Sequence, residues 1–164
     1  MTVFFTADTH FGHGGARGLY RRPFASVVEA DAAMLANWNA LVRPEDEIWH
    51  LGDFAVGPKP DRVRALLDAL PGIKHLVTGN NDPESTRRLQ GWHSVQPYAE
   101  LVVDGTGLVL CHYAFRSWHN MNRGWLNLHG HSHGRLARLT RQYDVGVDCR
   151  GFRPVTVAEL HPRR

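Results

Sequence analysis

Short apolar runs, rich in β-branched and aromatic residues, recur along this chain between polar and glycine-containing segments. Runs of this length and composition predict buried or half-buried β-strands. Two of them flank residues 104–107, whose sequence Asp-Gly-Thr-Gly indicates a β-hairpin. The predicted strands cover residues 3–7, 48–51, 75–78, 98–103, 108–111, 125–129 and 143–147.

Two other segments carry apolar residues at the spacing of one helix face. The first opens at Ser26, which has a glutamate three residues later, the sequence pattern of a capping box. The second begins at Pro60, a residue favoured in the first turn of a helix, and stops at Pro71-Gly72. Thr156 predicts the cap of a short last helix.

Strands and helices alternate first and strands dominate later, which predicts an α/β fold with a partly mixed sheet. The chain has 164 residues, of which 43% are hydrophobic and 21% charged, as in ordinary folded proteins. It shows no internal repeat and no linker-like segment. Residues 1–164 are therefore predicted to form a single domain.

The sequence gives no sign of export or of a membrane partner. No apolar run approaches the roughly 18 residues that a membrane helix needs. The N-terminus lacks the basic leader and long apolar stretch of a signal peptide, so the expected location is the cytoplasm. Cys111 and Cys149 are too few for a disulfide framework and are predicted to be buried free thiols.

The charge and the histidine content of the chain bear on its substrate and on metal binding. The formal charge of +3 and the pI near 9.2 fit an anionic substrate. The basic residues are spread along the chain, so the sequence does not indicate nucleic acid as a partner. Eleven histidines are present, and several stand beside Asp, Gly or another His. Histidine is the commonest metal ligand in proteins and a frequent acid–base group.

Polar clusters follow five of the predicted strands at the point where each strand ends. Because ligands of open α/β sheets bind outside the carboxyl ends of strands, these clusters are predicted to meet at one site. Each cluster alone is typical of an ordinary turn, but five together indicate a functional site. Their candidate metal ligands are Asp8, His10, Asp53, Asn80, His112, His131 and His133.

Two carboxylates, four imidazoles and one amide carbonyl suit borderline divalent cations. The set predicts two divalent ions, with manganese favoured and iron, zinc, cobalt or nickel as alternatives. Two carboxylates neutralise half of the four positive charges. The remaining charge can hold a phosphate oxyanion and generate hydroxide from water at neutral pH.

The ordered motifs Asp8-x-His10, Gly52-Asp53, Gly79-Asn80-x-Asp82, His112 and Gly130-His131-x-His133 resemble the calcineurin-like metallophosphoesterase superfamily. Shorter stretches, such as 9–13, 22–24 and 50–54, resemble a short bacterial and phage-type branch of it. The resemblance implies a four-layer α-β-β-α sandwich of two mixed β-sheets flanked by helices.

The resemblance also implies roles for the seven residues. One metal is expected on Asp8, His10 and His133, and the other on Asn80, His112 and His131. Asp53 is expected to bridge the two ions, and a metal-bridging hydroxide to attack phosphorus in line. The predicted function is therefore hydrolysis of a phosphate ester, with a small phosphorylated compound or a nucleotide as substrate.

The chain departs from the superfamily at Asn81, where a catalytic histidine is usual. An amide cannot donate a proton as an acid, so general-acid help of about 100- to 10,000-fold is missing there. Asp82, which normally orients that histidine, is left as a cap or turn residue. The leading hypothesis is a phosphodiesterase, which needs less help for its leaving group.

Two alternatives remain open. The chain is a phosphomonoesterase if another acid, with His13, His50 and His119 as candidates, replaces the missing histidine. It is a metal-binding scaffold if the centre has little activity. Arg116 and Arg123 are candidates for contact with a phosphate. Three further hypotheses are that Asp148 supports a ligand histidine, that Trp and Tyr residues shape a pocket, and that the exposed hairpin edge pairs in a homodimer.

Overall fold

Two β-sheets and five short or medium α-helices make up residues 1–161, the part of the chain that the computed structural model describes. The helices are α1 (Ala16–Leu19), α2 (Val27–Leu41), α3 (Pro60–Asp68), α4 (Glu84–Arg87) and α5 (Val157–Leu160), with 3₁₀ helices at Met121–Arg123 and Val147–Cys149. The strands are β1 (Val3–Thr6), β2 (Glu47–His50), β3 (Ile73–Val77), β4 (Ser94–Gln96), β5 (Tyr98–Val103), β6 (Thr106–Cys111), β7 (Leu126–His129), β8 (Gln142–Asp144) and β9 (Val155–Thr156).

Both sheets are mixed, as expected. The first has the order β4-β3-β2-β1-β9. Strand β9 pairs antiparallel with β1, and the other three neighbouring pairs are parallel. The second has the order β5-β6-β7-β8, in which only the β5–β6 pair is antiparallel. The parallel strands β1, β2 and β3 therefore end at one edge, where their loops can share a site.

Helices α2 and α3 cover the outer face of the first sheet. Their apolar residues join Phe4, Ile48 and Leu76 of the sheet in one buried cluster. The predicted start of α2 is confirmed, because the Glu29 amide donates to the Ser26 hydroxyl at 3.1 Å. Burial of each large apolar side chain in this layer stabilises the fold by about 1.5–3 kcal/mol.

The opposite face of the first sheet packs on the second sheet. Phe5, Trp49 and Val77 point into this layer, since successive strand residues face opposite sides. Their partners from the second sheet are Leu108, Leu110, Leu126 and Leu128. The near-continuous apolar runs in the sequence arise because the central strands are buried on both faces.

A loop with a single 3₁₀ turn, residues 113–125, covers the outer face of the second sheet. Trp125 lies directly over Gly107, where an added Cβ would come within 2.2 Å of the indole. The Trp118 indole donates to the Trp125 carbonyl at 2.9 Å and closes the loop. The layered α/β sandwich is thus confirmed, and its fourth layer is built from this loop instead of an α-helix.

Several boundaries differ from the predictions. The hairpin turn is only two residues long, because Asp104 and Gly105 adopt φ values of 48° and 77° and Val103 pairs with Thr106. The short elements α1, α4, β4 and β9 were not predicted, since so few residues carry little periodic signal. Cys149 is exposed, and Cys111 is half-buried, which corrects the prediction of buried thiols. Cys149 is exposed because it lies in a 3₁₀ turn beyond the end of β8.

No helix among the described residues has the length and apolar character needed to cross a membrane. The edge position of β5 agrees with the predicted hairpin edge. Pairing of that edge in a homodimer remains a prediction.

A fully buried histidine predicts how stability depends on pH. His50 contacts the Thr9 hydroxyl at 2.9 Å, and burial lowers its pKa from 6.5 to about 3. Between these values the unfolded chain binds a proton that the folded chain does not, so stability falls as the pH drops from about 6.5 toward 3. The free energy of unfolding is expected to lose up to about 1.4 kcal/mol per pH unit through this group.

Urea unfolding at a series of pH values checks this expectation. His50→Gln should flatten the acid limb of the stability curve relative to the wild type. His119→Gln is the matched control, because His119 is an exposed residue. Parallel curves for the wild type and His50→Gln would refute the assignment.

Candidate metal centre

The seven predicted ligand residues lie in the loops that follow β1, β2, β3, β6 and β7. Backbone hydrogen bonds hold neighbouring loops together. The Asp8 amide donates to Gly52 O, and the His10 amide donates to Asp53 O, each at 3.0 Å. The two sheets therefore deliver all five predicted loops to one end of the molecule, as the positions of the strand ends indicated.

The backbone of these loops is unusually strained. Five of the seven residues adopt the left-handed region, which costs a non-glycine residue about 1 kcal/mol or more. Such strain persists where the surrounding structure holds a functional side chain in place. The φ values are 55° at Asp8, 47° at His10, 60° at Asp53, 64° at His131 and 48° at His133.

Two glycines allow the carboxylates to approach other loops closely. A Cβ added at Gly79 would lie 2.3 Å from an Asp53 carboxylate oxygen. A Cβ added at Gly130 would lie 2.7 Å from an Asp8 carboxylate oxygen. Both positions therefore need glycine for close approach, which explains why glycine precedes these clusters in the sequence.

The acidic and histidine side chains converge in two groups. Ligand atoms of Asp8, His10 and His133 all lie within 4.8 Å of one another, and so do those of Asp8, Asp53 and His112. Asp53 stands between the two histidines. One of its oxygens is 3.5 Å from His10 Nε2, and the other is 3.7 Å from His112 Nε2.

Asn80 and His131 complete one side of the cluster. The Asn80 carbonyl oxygen lies 3.0 Å from His112 Nε2. The ring of His131 is exposed, and its centroid is 5.1 Å from that of His112. All seven predicted residues therefore lie together, and Asp8, where Asp53 was expected, is the residue common to both groups.

Three buried polar atoms of this cluster indicate whether the site suits a metal ion. Asp8 Oδ1 and both ring nitrogens of His10 have no hydrogen-bond partner within residues 1–161. A buried polar atom without a partner costs about 1–3 kcal/mol, and three of the eight such atoms among residues 1–161 lie together here. Their chemistry, a carboxylate oxygen beside imidazole nitrogens, is that of a divalent metal site.

Burial controls the charge of these groups. Burial lowers the pKa of His10 to about 3, so its imidazole is neutral at pH 7, the form that binds metals. Burial together with the nearby Asp144 and Asp53 raises the pKa of Asp8 well above its usual range. Burial also opposes ionisation of Asp53, but His112 and hydrogen bonds from Asn81 outweigh it and lower its pKa. A divalent cation would favour the ionised carboxylates further.

Hydrogen bonds orient two of the predicted ligand histidines. His112 Nδ1 lies 2.7 Å from the Leu51 carbonyl, which requires a proton on Nδ1 and leaves Nε2 to face Asp53. His133 Nδ1 donates to Asp148 at 2.8 Å. Partners of this kind fix the tautomer and ring position of a ligand histidine. The predicted support of a ligand histidine by Asp148 agrees with this contact.

Arg22 links this support to the ligand loop of β1. Its side chain is buried, forms a 2.8 Å ion pair with Asp148 and donates to the Asp8 and Thr9 carbonyls at 2.7 and 2.8 Å. Sequence reasoning did not assign it this role. The available signal was only its place in the Arg22-Pro23-Phe24 stretch.

The Asn81 and Asp82 side chains both serve the Asp53 loop. Asn81 donates to the two Asp53 oxygens, from its backbone at 2.8 Å and from its side chain at 2.7 Å. Asp82 accepts from the amides of Asp53 and Phe54 at 2.9 Å and of Gly79 at 2.8 Å. Asp82 thus joins two ligand loops, in agreement with its expected role as a turn residue.

The three candidates for a substitute acid occupy different environments. His13 lies beside the cluster, with its ring centroid 5.4 Å from that of His10. His50 is fully buried against Thr9, and His119 forms an exposed ion pair with Glu100. Of these, His13 makes a ring contact with a predicted ligand, and the identity of a substitute acid remains a prediction.

The tyrosine of the α1 segment was missed by sequence reasoning. The Tyr20 ring stacks on His133, with centroids 3.5 Å apart. Arg116 and Arg123 are exposed in the cover of the second sheet. Within residues 1–161, neither arginine forms a hydrogen bond or ion pair with the cluster, so their role in phosphate binding remains a prediction.

Comparison with known proteins identifies the family. The model of the calcineurin-like phosphoesterase superfamily domain matches residues 1–149. The chain belongs to this superfamily. Its membership accounts for the convergence of Asp and His side chains, because calcineurin-like phosphoesterases use divalent metals.

Relatives of this calcineurin-like protein include phage and archaeal proteins. The Gene 66 protein of Mycobacterium phage D29 is 32% identical over 90% of this chain and 88% of its own length. The uncharacterised protein MJ1445 of Methanocaldococcus jannaschii is 26% identical over 94% of this chain and 86% of its own. The expected resemblance to a phage-type branch is thereby confirmed.

Solved structures share the calcineurin-like fold. A protein of unknown function from Aquifex aeolicus, AQ665, superposes with a TM-score of 0.78 at 23% identity, over 96% of each chain. An archaeal phosphodiesterase superposes with a TM-score of 0.50 at 17% identity, over 89% of this chain and 82% of its own. At these identities the similarity shows the fold alone.

Proposed function

We propose that this metal-dependent phosphoesterase holds two divalent ions and hydrolyses a phosphodiester. The observation that carries the proposal is the position of Asp53, whose two oxygens face His10 and His112 on opposite sides at 3.5 and 3.7 Å. A carboxylate so placed can bridge two cations. The unpartnered buried atoms of Asp8 and His10 support a metal on the first side, and the Asn80 carbonyl beside His112 supports one on the second.

The proposed ligand sets follow the geometry. Asp8, His10 and His133 would hold the first ion, and Asn80, His112 and His131 the second, with Asp53 shared. When bound, such ions supply Lewis acidity toward the phosphoryl oxygens and lower the pKa of the attacking water. The chain contributes the positions of the ligands, fixed by Asp148, the Leu51 carbonyl and the strained loops. Manganese is the proposed ion, with iron, zinc, cobalt and nickel as alternatives.

The preference for a diester rests on Asn81. Its amide nitrogen donates to Asp53 at 2.7 Å, so the side chain is engaged in holding the proposed bridging carboxylate. An amide has no proton to give as an acid at neutral pH. A substrate with a good leaving group, such as an aryl or nucleoside diester, needs this help least.

Hydrolysis assays on the purified chain test the function. Manganese-loaded protein is expected to cleave bis(p-nitrophenyl) phosphate faster than p-nitrophenyl phosphate, and chelation of the metal should abolish both activities. Bound manganese is counted in parallel by elemental analysis. A chain that binds two ions and cleaves neither ester would support the scaffold alternative instead.

Asn81→His is expected to raise hydrolysis of an alkyl monoester such as glycerol phosphate, whose leaving oxygen needs a proton, by up to about 100-fold. It should leave the rate on bis(p-nitrophenyl) phosphate within a few-fold of the wild type. The imidazole restores a proton donor where the leaving oxygen departs. Asn81→Ala is the matched control, because it removes the hydrogen bond to Asp53 without adding an acid. Equal gains on both esters, or none on either, would contradict this account of specificity.

The phosphomonoesterase alternative has one supporting observation, the position of His13 beside His10. If the wild type prefers the monoester, His13 becomes the candidate acid. His13→Gln would then lower the monoester rate selectively.

A further inference from the structure

The basic residues are spread along the sequence, but the balance of charge is not. Residues 1–111 carry 13 acidic and ten basic side chains. Residues 112–153 carry seven arginines and only two aspartates. Such asymmetry within one chain is typical of proteins that bind a polyanion.

The two aspartates of this region do not neutralise its exposed arginines. Asp148 is engaged by Arg22 and His133 inside the protein. Asp144 accepts hydrogen bonds from Ser132 and from backbone amides of the neighbouring loops. Glu159 also lines this surface but pairs with Arg153. Arg135, Arg138 and Arg141 form no ion pair with any of the described residues.

Three of the arginines recur at every third position in the segment 134–141, which we call the arginine loop. Arg135, Arg138 and Arg141 are all exposed, and Leu136 and Leu139 stand between them, 56% and 40% exposed. All of the loop except Arg135 lines a cavity of about 990 Å³ together with Arg150, while Arg135 contacts the α1 segment beside it. This surface is concave and offers both guanidinium and apolar groups.

The guanidinium groups of this cavity have unused donors. Among the described residues, Arg138 makes no hydrogen bond or ion pair. Arg141 donates to the Met121 carbonyl at 3.2 Å, and Arg150 donates to the Asp144 carbonyl at 2.7 Å. A guanidinium has five N–H donors, so each of these side chains can still contact a phosphate.

The arginine loop begins at the candidate metal centre. The Arg135 guanidinium lies 5.8 Å from the centroid of the Tyr20 ring, and Tyr20 stacks on His133. Ser132, which stands between the two ligand histidines, lines the same cavity. An anionic chain lying along the arginines would therefore have one end beside the proposed metal ions.

We infer that the arginine loop and its cavity bind a single-stranded nucleic-acid segment through its phosphodiester backbone. Regularly spaced guanidinium groups suit the repeated phosphates of such a strand. The exposed leucines offer apolar contact to unstacked bases, and the concave shape suits a strand better than a flat membrane surface. That the strand is also a substrate rests on the proposed function, but its binding does not.

Fluorescence anisotropy tests the inference on the full-length, manganese-loaded chain. The probe is a fluorescein-labelled dT oligomer of about 12 nucleotides, within the usual site size for single strands. Its linkages are phosphorothioates, which keep their charge and resist hydrolysis. A uridine oligomer of the same chemistry compares RNA with DNA.

The double variant Arg138→Gln/Arg141→Gln is expected to weaken binding about tenfold at 0.1 M salt. It should also reduce the slope of log K against log salt by about 1.4, since each lost phosphate contact on a single strand contributes about 0.7. Arg43→Gln/Arg64→Gln is the matched control. It removes the same charge from exposed positions after α2 and within α3, and it should leave both quantities unchanged.

Equal weakening by both double variants, or no effect of either, would overturn the inference. So would arginine-dependent binding of polyglutamate or of vesicles rich in anionic lipid without binding of the oligomer. Hydrolysis of bis(p-nitrophenyl) phosphate separates the two proposals, because the small diester does not need the arginine loop. A chain that binds the strand but cleaves no ester refutes the proposed function alone.

Discussion

Asp53→Asn is expected to lower the rate of phosphodiester hydrolysis by about 10³-fold or more, the equivalent of about 4 kcal/mol in the barrier. The substitution keeps the size of the side chain and removes the negative charge between His10 and His112. Because Asp53 is the proposed bridge, both ions lose an anionic ligand at once. Asp8 also lies near both histidines, but its oxygen is 3.9 Å from His10 Nε2, farther than the 3.5 Å of Asp53.

Metal stoichiometry provides an independent measurement of this effect. Calorimetric titration with manganese should give two sites in the wild type and weaker or fewer sites in Asp53→Asn. Asp68→Asn is the matched control, because it removes the same charge from a residue whose side chain is 61% exposed. Full activity with two intact sites in Asp53→Asn would contradict the proposed bridge.

Arg22→Met is expected to lower the free energy of unfolding by about 3–5 kcal/mol, because it leaves a buried carboxylate without its cation. The side chains of the Arg22–Asp148 pair are only 2% and 6% exposed. Arg22 also donates to the carbonyls of Asp8 and Thr9, which would then lose a buried donor. Urea unfolding of the metal-free chain measures the loss without interference from ligand binding.

Arg153→Met is the matched control for this prediction. Arg153 pairs with Glu159, but the two side chains are 42% and 40% exposed. Removal of such a pair should cost about 1 kcal/mol or less, since solvent screens it. Equal losses in the two variants would contradict a structural role for the buried pair.

Arg22→Met should also weaken manganese binding by about 10- to 100-fold, as expected when the support of a ligand histidine is lost. The effect passes through Asp148, which holds His133 Nδ1 at 2.8 Å. Asp148→Asn should produce a similar loss of affinity. An unchanged affinity in both variants would limit the Arg22–Asp148 pair to a role in stability.

The strands and the long helices were predictable because burial imposes a period on the sequence. The capping pattern at Ser26 and the apolar positions of α2 and α3 needed no knowledge of their partners. The same holds for the polar residues that meet at the candidate centre, since polar clusters at the ends of apolar strands are visible in the chain itself. The short elements α1, α4, β4 and β9 carry too few residues for a period to appear.

The contacts that hold the candidate metal centre in place could not be predicted from local sequence patterns. Arg22 and Asp148 are 126 positions apart, and nothing near either residue indicates that they meet in the interior. Tyr20 and His133 stack although they belong to distant segments. Likewise, the sequence indicates only that Asn81 replaces a catalytic acid. In the fold, Asn81 donates two hydrogen bonds to Asp53.

Residue identity and spacing were thus sufficient to indicate the α/β class, the five loops and the metal-binding chemistry, because each depends on a few neighbouring residues. The pairing of Arg22 with Asp148, the strained φ values of the ligand loops and the surface formed by the arginine loop depend on contacts between distant segments. Those contacts form only when two sheets pack face to face and bring five strand ends together. Local patterns carry no information on such distances, so tertiary packing had to supply them.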